Sequence, residues 1–524
     1  MLMKTFAFCL FFLSAILSLA SCNRDDDALP EPEPEEPREI PVESLLEQPI
    51  QVELNPYGNA PLSARATIRT KSPVGARLLI DDALQIQRQA DTASTEHQLA
   101  ILGLLPNTQN RVIFTLSLEN GDFAKDTVTI ETPELPAYLP EIRIVEKHPE
   151  QMEPGLTLCG FSYCKDALMN TRPFLFDAEG NIRWLLEIEA LSTFFYPVKR
   201  LRNGHWIFGN LSDLYEYDMM GREINRWTLD GYFQHHEIVE KADGNLIVAV
   251  TDNSLETIND QIVEMDRTSG AIVRSWDLRE VMDTRRFSLL WNSRDWLHVN
   301  SIWYDEADQS LVISGRHQGI FKVSYNNELL WILAPQKGWG LAGTDGSGLL
   351  TADYLLTAID EAGAAYPDAI QQGQARADGF DWCWGQHAVM VKPNGHLLAF
   401  DNGFRRNFQN NDQNSYSRGV EFEVDEAART VRQVWEYGRS RGEAFYSRNI
   451  SDADFLPQSG NRLLTSGNIH HEGNASCKII EVSAAGDVLF EADLLFANLY
   501  GSGEDIWGYT DVVYRSERLA VYPR

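Results

Sequence analysis

Short stretches of alternating apolar and polar residues run along most of the chain, and this period of two predicts β-strands. Residues 384–403 are the clearest example, because two such stretches flank a tight turn at Pro393, Asn394 and Gly395. His387 lies near the start of the first stretch. The pattern therefore predicts a strand, a turn and a second strand, with a histidine close to one end.

A related hairpin pattern recurs from about residue 141, in which an apolar strand leads through a Gly or Asn turn to a strand with a terminal aromatic residue. Repeated four-stranded units with such a signature are typical of a β-propeller. The pattern predicts six blades, from six copies that end at Trp184, Trp227, Trp276, Trp331, Trp435 and Phe490.

The hairpin around His387 also has copies, which place its histidine in a series. Counting back eight residues from the turn glycines Gly204, Gly244, Gly395 and Gly460 leads to Tyr196, His236, His387 and Asp452. A slightly longer copy places His298 at the matching strand start. Inner strands of a propeller line its central channel, so we expect His236, His298 and His387 to converge at one mouth although they are far apart in sequence.

The interval from Trp331 to Trp435 is too long for one plain blade. Residues 336–380 are rich in Gly and Ala, and we predict an insertion over one face with a short helix near residues 354–364. A seventh, degenerate blade hidden in this interval is the alternative.

Residues 47–136 form an earlier unit of alternating strands, whose length suits a small β-sandwich of the immunoglobulin or fibronectin III type. Pro133, Pro136 and Pro140 mark its exit. The predicted fold is thus all-β, with this sandwich followed by a six-bladed propeller over residues 137–524.

The first 22 residues predict export. Lys4 precedes an apolar run that is too short to span a bilayer, and residues 19–22 (Leu-Ala-Ser-Cys) resemble a bacterial lipoprotein signal, which implies lipidation of Cys22. An ordinary signal peptide with an incidental cysteine is the alternative. Residues 23–46 begin acidic and proline-rich and predict a tether. We expect a protein anchored by lipid in the bacterial envelope, in the periplasm or at the outer-membrane surface.

Composition narrows the partners. A net charge of −31 argues against nucleic acid, because a phosphate backbone needs a basic footprint. The remaining cysteines of the mature chain allow three disulfide pairings, and only the pair Cys159 and Cys164 is close in sequence. Their spacing is not that of a zinc ribbon.

Two chemistries suit three histidines around one channel. Three imidazoles are a familiar zinc set, but Arg316, in the hairpin beside His298, would repel a cation. The alternative is transfer of a tetrahedral oxyanion group, in which a neutral histidine attacks and the arginine and other histidines balance charge. The arginine favours the second chemistry.

Four motifs in order carry a resemblance: residues 235–238 (His-His-Glu-Ile), 296–301 (Trp-Leu-His-Val-Asn-Ser), 314–318 (Ser-Gly-Arg-His-Gln), and 385–388 (Gly-Gln-His-Ala) followed by 400–403 (Phe-Asp-Asn-Gly). Together they resemble the bacterial arylsulfate sulfotransferases, from about residue 45 to the C-terminus. The resemblance implies sulfuryl transfer from an aryl sulfate to a phenol through a sulfated histidine, with no cofactor and no nucleotide sulfate donor. The absence of a GxxxxGK[ST] phosphate loop agrees with this.

The resemblance implies that His387 is the nucleophile and that His298 and Arg316 grip the sulfuryl oxygens. His236 would assist binding or proton transfer, and the repeat favours it over His235 for this role. We predict substrate contacts from a second group of residues, which are Asn300, His235, Tyr196 and Asp452. His317, His470 and His471 are predicted to be loop or surface residues. One difference from the family is that Cys383 has no nearby partner in sequence, so the short disulfide of a known member cannot be transferred.

Two other functions stay open from the sequence. A propeller that binds a glycan or peptide without catalysis would make no covalent use of His387, and a metal-dependent hydrolase or sulfatase would need an ion at the three histidines. The expected partners are small phenolic sulfates and phenols, with the membrane contacted only through the lipid. The natural donor and acceptor and the oligomeric state, with a homodimer as one alternative, are left open.

Overall fold

The structure is a computed structural model that describes residues 36–165, 168–188, 191, 194–286, 289, 292–410, 415–471, 474–496 and 510–523. The proposed lipidation site Cys22, the export signal and most of the predicted tether lie outside these residues. Among the described residues, no helix has both the length and the apolar character needed to cross a membrane.

The N-terminal unit is a sandwich of six strands with one short helix, α1 (Val42–Leu45). Strand β2 has 18 residues and serves both halves: it pairs with β1 and β4 along its first part and with β3 and β5 along its second part. Buried residues alternate along it, as the period of two requires. The strands are β1 (Gln51–Leu54), β2 (Ser63–Ile80), β3 (Gln87–Gln89), β4 (Ser94–Leu102), β5 (Gln109–Ser117) and β6 (Phe123–Glu131).

The end of the predicted tether belongs to this sandwich. Glu39 forms a bridge with Phe123, and Leu45 and Leu46 are buried in the core of the sandwich. Burial of these apolar side chains is more favourable in free energy than their exposure to water in a solvated tether. The structure therefore begins the folded unit near residue 39 and not at residue 47.

After the sandwich, the chain forms β7 and then sixteen strands, β8 to β23, that belong to four successive sheets. The strands are β7 (Glu141–Lys147), β8 (Leu156–Lys165), β9 (Leu168–Thr171), β10 (Phe174–Phe176), β11 (Ile182–Leu185), β12 (Tyr196–Arg200), β13 (Trp206–Asn210), β14 (Asp213–Tyr217), β15 (Glu223–Thr228), β16 (Tyr232–Glu240), β17 (Leu246–Asp252), β18 (Gln261–Met265), β19 (Ile272–Asp277), β20 (Val299–Asp305), β21 (Ser310–Gly315), β22 (Gly319–Ser324) and β23 (Leu329–Leu333).

The last part contains the second short helix, α2 (Asp368–Gln371), and the remaining strands. These are β24 (Thr357–Ala358), β25 (His387–Val391), β26 (Leu397–Asp401), β27 (Arg418–Asp425), β28 (Thr430–Tyr437), β29 (Asp452–Phe455), β30 (Arg462–His471), β31 (Asn474–Val482), β32 (Val488–Leu495) and β33 (Val512–Leu519).

Within the described residues, these strands form six sheets after the sandwich, and their pairing is antiparallel except for β24, which pairs in parallel with β28. Two sheets combine the two ends of the chain: β33 pairs with β8 in the first sheet, and β7 pairs with β32 in the sixth. One edge strand of each sheet, which we call its inner strand, contacts the inner strands of the two neighbouring sheets. These contacts close a cycle, β33–β12–β16–β20–β25–β29 and back to β33. This arrangement agrees with the predicted propeller, and the all-β class with an N-terminal sandwich is confirmed.

The terminal aromatic residue of each repeat joins neighbouring sheets. The indole nitrogens of Trp184, Trp227 and Trp276 each donate a hydrogen bond to a backbone carbonyl in the last turn of the following sheet. Trp331 donates to the side chain of Glu426 in the same relative place. A buried indole needs a partner for its N–H, and here the partner fixes one blade on the next.

The insertion differs from its prediction in one respect. Residues 354–364 form no α-helix; β24 pairs in parallel with β28 there, and the short helix α2 comes later. Pro367 precedes α2, and its fixed φ suits a helix start. Cys159, Cys383 and Cys477 are buried free thiols, so the structure has no bridge between Cys159 and Cys164.

Candidate functional site

The regular pairing of the inner strands is interrupted near the functional side chains, and each interruption changes the direction in which a side chain points. Register shifts consistent with β-bulges occur in β12, β16, β20 and β25 beside the predicted site residues, and another occurs in β33. His236, His298 and Ala388 adopt positive φ values of 62°, 58° and 54°. Bulges re-aim a side chain and are frequent beside active sites, so the strands here present residues that simple alternation would hide.

The bulges surround a cavity of about 210 Å³. We call it the histidine cavity, and it is lined by Tyr196, His235, His236, His298, Arg316, His387, Asn449 and Ile450. Five inner strands or their flanking loops contribute to it, which is the convergence that the repeat predicted.

The hydrogen bonds of Asn402 fix the tautomer of His387. The Asn402 amide nitrogen donates to the backbone oxygens of Ser447 and Ile450 at 2.8 and 2.9 Å. Its oxygen is therefore the end that faces His387, and it can only accept a hydrogen bond, so Nδ1–H of His387 donates to it at 2.7 Å. The lone pair of the ring lies on Nε2.

His387 is held neutral as well as oriented. Burial lowers the pKa of this imidazole well below its usual value, and the positive charge of Arg316 lowers it further. The side chain is 3% exposed. A neutral imidazole with a free Nε2 is a nucleophile at neutral pH.

Asp295 orients His298 toward the cavity. Nδ1–H of His298 donates to Asp295 at 2.6 Å, and the other carboxylate oxygen accepts from Asn259 at 3.0 Å. Nε2 of His298 then lies 3.2 Å from Nε2 of His236. Burial alone would raise the pKa of Asp295, but the hydrogen bond and charge of His298 outweigh it and lower that pKa. The carboxylate is therefore ionised, and its hydrogen bond fixes the orientation of the His298 ring.

His235 and His236 lie beside His298, and the pKa of each ring is lowered. Burial lowers the pKa of both rings well below the usual value, and the neighbouring His298 lowers it further. Nε2 of His235 and Nδ1 of His236 are buried without a hydrogen-bond partner. Tyr196 and Tyr514 pack on His236, with ring centroids 5.0 and 5.4 Å away.

A second cavity, of about 390 Å³, lies among the same inner strands. We call it the carboxylate cavity, and its charged lining residues include Lys199, Glu237, Asp452, Asp454, Arg515 and Glu517. Glu237 accepts from Lys199 at 2.6 Å and from Arg515 at 2.7 Å. Burial alone would raise the pKa of Glu237, but the charges of Arg515 and Lys199 outweigh it.

Six of the eight predicted site residues line the histidine cavity, and two do not. Asn300 was expected on the same face as His298, but the bulge after Val299 turns it away, and its amide donates to the backbone oxygen of Gln386 at 2.8 Å. Asp452 lines the carboxylate cavity. Ile450 and Ser451 have positive φ just before it, so Ile450 takes the place that the repeat assigned to Asp452.

Three residues of the site were missed from the sequence or misjudged. His317 was predicted to be a loop or surface residue, but it is 2% exposed and its ring lies 5.1 Å from that of His298. Burial and the charges of His298 and Arg316 lower its pKa to about 3. Asn402 belongs to a motif that was noticed without a role. Asp295 precedes its strand in an irregular segment, where no periodicity marks it.

Two groups of side chains in this region have metal-ligand spacing. One ring nitrogen each from His235, His236 and His298 lie within 4.8 Å of one another, and Asp295, His298 and His317 form the other group. The expectation that the protein uses no metal therefore stays a prediction.

Comparisons with known proteins cover most of the chain. Residues 141–500 match the family model described as arylsulfotransferase (ASST), and residues 51–133 match the arylsulfotransferase Ig-like domain. The chain is 26% identical to an arylsulfate sulfotransferase AssT from Escherichia coli O6:H1 and 26% identical to one from Lelliottia amnigena, and each match covers 80% of this chain and 84% of the relative. A solved structure of a virginiamycin B lyase from Staphylococcus aureus aligns with 68% of this chain and 99% of its own, at 11% identity and a TM-score of 0.28. That structural similarity is too distant to inform the function.

Proposed function

This chain belongs to the arylsulfotransferase family, and from that premise we propose that it moves a sulfuryl group from an aryl sulfate ester to a phenol through a sulfated His387, without a nucleotide donor. The family that the sequence motifs resembled is thereby confirmed. The relatives' names state an aryl sulfate donor, and the phenolic acceptor and the covalent histidine are part of the proposal.

The geometry of His387 is the observation that carries the proposal. Asn402 occupies Nδ1 and leaves the Nε2 lone pair available, while burial and Arg316 keep the ring unprotonated. A binding site for a neutral ligand would need neither the fixed tautomer nor the depressed pKa. Both are requirements of a nucleophile.

In the first half-reaction, Nε2 of His387 attacks the sulfur of the aryl sulfate. The N–S bond forms as the S–O bond to the aromatic ring breaks, and the phenolate oxygen leaves with the electron pair. Arg316 and His298, on the same cavity, stabilise the negative charge spread over the sulfuryl oxygens. Asp295 prepares His298 for this role, because it accepts a hydrogen bond from Nδ1–H and so fixes the ring.

In the second half-reaction, a phenol occupies the place that the first phenol left. Its oxygen attacks the sulfur and loses its proton to a base, and the N–S bond breaks to return neutral His387. His236 is the candidate base, since its lowered pKa keeps it unprotonated and its ring borders the same cavity. Two substrates used in turn at one small cavity give ping-pong kinetics.

Two further parts of the proposal depend on the sequence alone. The export signal and Cys22 support a lipid anchor in the bacterial envelope, and the acidic proline-rich segment supports a tether between lipid and sandwich. Labelling with a radioactive fatty acid, compared between the native chain and Cys22→Ala, tests the anchor.

The central experiment incubates the purified protein with a chromogenic aryl sulfate, with and without added phenol. We expect chromophore release that depends on phenol and falls on the order of 10⁴-fold or more in His387→Ala, the size seen when a covalent nucleophile is removed. Intact-mass analysis with donor alone should show one added sulfuryl group per chain, absent from the variant.

The other outcomes decide between the alternatives. Release that is independent of phenol would make the protein a sulfatase. Absence of release with every aryl sulfate tested, together with no mass increase, would favour a binding module. Loss of release on treatment with a chelator would favour a metal-dependent hydrolase.

A further inference from the structure

We propose that the histidine cavity also binds a zinc-class transition-metal ion through His235, His236 and His298, and that the bound ion blocks sulfuryl transfer. The binding half of this inference rests on the three side chains. The blocking half rests on the proposed function, because His236 and His298 would serve both the ion and the substrate.

The spacing of the ring nitrogens is the first argument. Nε2 of His236 and Nε2 of His298 are 3.2 Å apart, and one nitrogen of each of the three rings lies within 4.8 Å of the others. Two nitrogens bound to a tetrahedral zinc ion at about 2.0–2.1 Å would be roughly 3.3 Å apart. The pair is therefore already close to ligand geometry before any ion arrives.

The support behind His298 is the second argument. A metal-binding histidine usually donates its other ring N–H to a carboxylate, which fixes the ring and raises its strength as a ligand. Asp295 accepts this hydrogen bond from His298 at 2.6 Å and is itself held by Asn259. His298 is thus oriented as a ligand would be, with Nε2 directed toward His236.

The state of the other two rings is the third argument. Nε2 of His235 is buried and has no hydrogen-bond partner, which is costly for a polar atom unless a ligand meets it. Tyr196 and Tyr514 pack on His236, so the ring of this second ligand is also held in place. Three protein nitrogens leave a fourth tetrahedral position facing the cavity.

Arg316 sets the strength of the site. Its guanidinium lines the same cavity and repels a cation, so it opposes the ion while it assists the anionic substrate. One residue therefore has opposite effects on the two ligands, and this difference separates a real ligand set from nonspecific binding to surface groups.

Calorimetric titration of the folded protein with zinc chloride tests the binding half. We expect one zinc ion per chain, at least tenfold weaker binding in His235→Ala, and severalfold tighter binding in Arg316→Met. His148→Ala removes a partly exposed histidine just after β7 and serves as the matched control, with unchanged affinity. Thermal unfolding of each variant checks that it is folded.

Kinetics test the blocking half. Zinc should inhibit transfer competitively with the aryl sulfate, and a chelator should restore the full rate. No binding in the titration, or binding that His235→Ala leaves unchanged, would overturn the inference and leave the proposed function intact. A transfer rate that requires zinc would overturn the proposed function and the blocking role together, while binding without any transferase activity would leave only the metal site.

Discussion

The histidine cavity and the carboxylate cavity are built from the same inner strands, yet they differ in chemistry. On β16, His236 lines the first and Glu237 lines the second; on β12, Tyr196 and Lys199 divide in the same way. The described lining of the histidine cavity contains imidazoles and one guanidinium and no carboxylate. The other cavity combines carboxylates with Lys199 and Arg515.

The difference shows two uses of buried charge. In the histidine cavity, burial lowers the pKa of His236 and His387, and the guanidinium of Arg316 lies on the same lining, which suits an anionic substrate. In the carboxylate cavity, Glu237 is paired with two cations, Lys199 and Arg515. Arg515 on the last strand donates to Glu237 on β16 and to the backbone oxygen of Asn300 on β20, so it fastens the C-terminus into the ring.

Loss of one positive charge from each cavity should break this symmetry most strongly. We expect Arg316→Met to lower kcat/KM by about 10²–10³-fold, the usual result of removing one group that stabilises transition-state charge. Lys199→Met, which removes a cation from the other cavity, should change kcat/KM by less than about threefold. Comparable losses in both variants would contradict the division of roles.

Arg316→Met should also change the pH dependence of kcat/KM, in a direction that the effect of Arg316 on His387 determines. Arg316 lowers the pKa of His387, so its removal raises that pKa. His387 must be neutral to attack, and activity is lost as pH falls through its pKa. The acid limb of the kcat/KM profile in Arg316→Met should therefore move to higher pH, and the limb in Lys199→Met should stay in place.

Asp295 should show an intermediate effect. Asp295→Asn keeps a side chain of the same size but removes the carboxylate that orients His298, and we expect kcat to fall about 10–100-fold, as for other carboxylates that orient a working histidine. KM should change less than kcat, because Asp295 acts through His298 and does not itself line the histidine cavity.

A matched control separates this effect from simple structural damage. Asp283 is also buried and is bonded to backbone amides, but no described contact joins it to a histidine. Asp283→Asn should alter thermal stability without lowering kcat. A kcat of Asp295→Asn equal to that of the native chain, or a loss that falls equally on kcat and KM in both variants, would argue against a positioning role.

Much of the fold follows from patterns that are local in sequence. The terminal aromatics predicted six repeats because each repeat needs an indole or phenyl group to pack on its neighbour, and Trp184 and Trp276 do so with their N–H groups bonded to the next sheet. The pairing of β33 with β8 and of β7 with β32 joins opposite ends of the chain, and no local pattern encodes it.

The site was predictable where the backbone irregularity recurs at the same position of the repeat, and not where it differs from blade to blade. His236, His298 and His387 share a repeat position and meet in one cavity. Asp452 follows from the same count, and Asn300 follows from its place two residues after His298, but backbone irregularities beside them change which side chain faces the cavity. Asp295 and Asn402 act through partners on other segments, so their importance is visible only in three dimensions.

The smallest expected effect concerns Asp452, a residue of the carboxylate cavity that the proposed reaction does not use. Burial raises the pKa of Asp452 to about 7, against the opposing charges of Arg515 and Lys199. The folded state therefore prefers the protonated form, while the unfolded chain ionises near pH 4. Stability from this group is complete below the unfolded pKa and is lost as pH rises toward 7. Asp452→Asn, which cannot ionise, should gain stability relative to the native chain across this interval, by about 1–3 °C in Tm at pH 8 relative to pH 4.

Glu361→Gln, at an exposed position, supplies the control and should show no such trend. A constant difference in Tm between Asp452→Asn and the native chain would mean that Arg515 and Lys199 hold Asp452 ionised, and the cavity would then be fully paired.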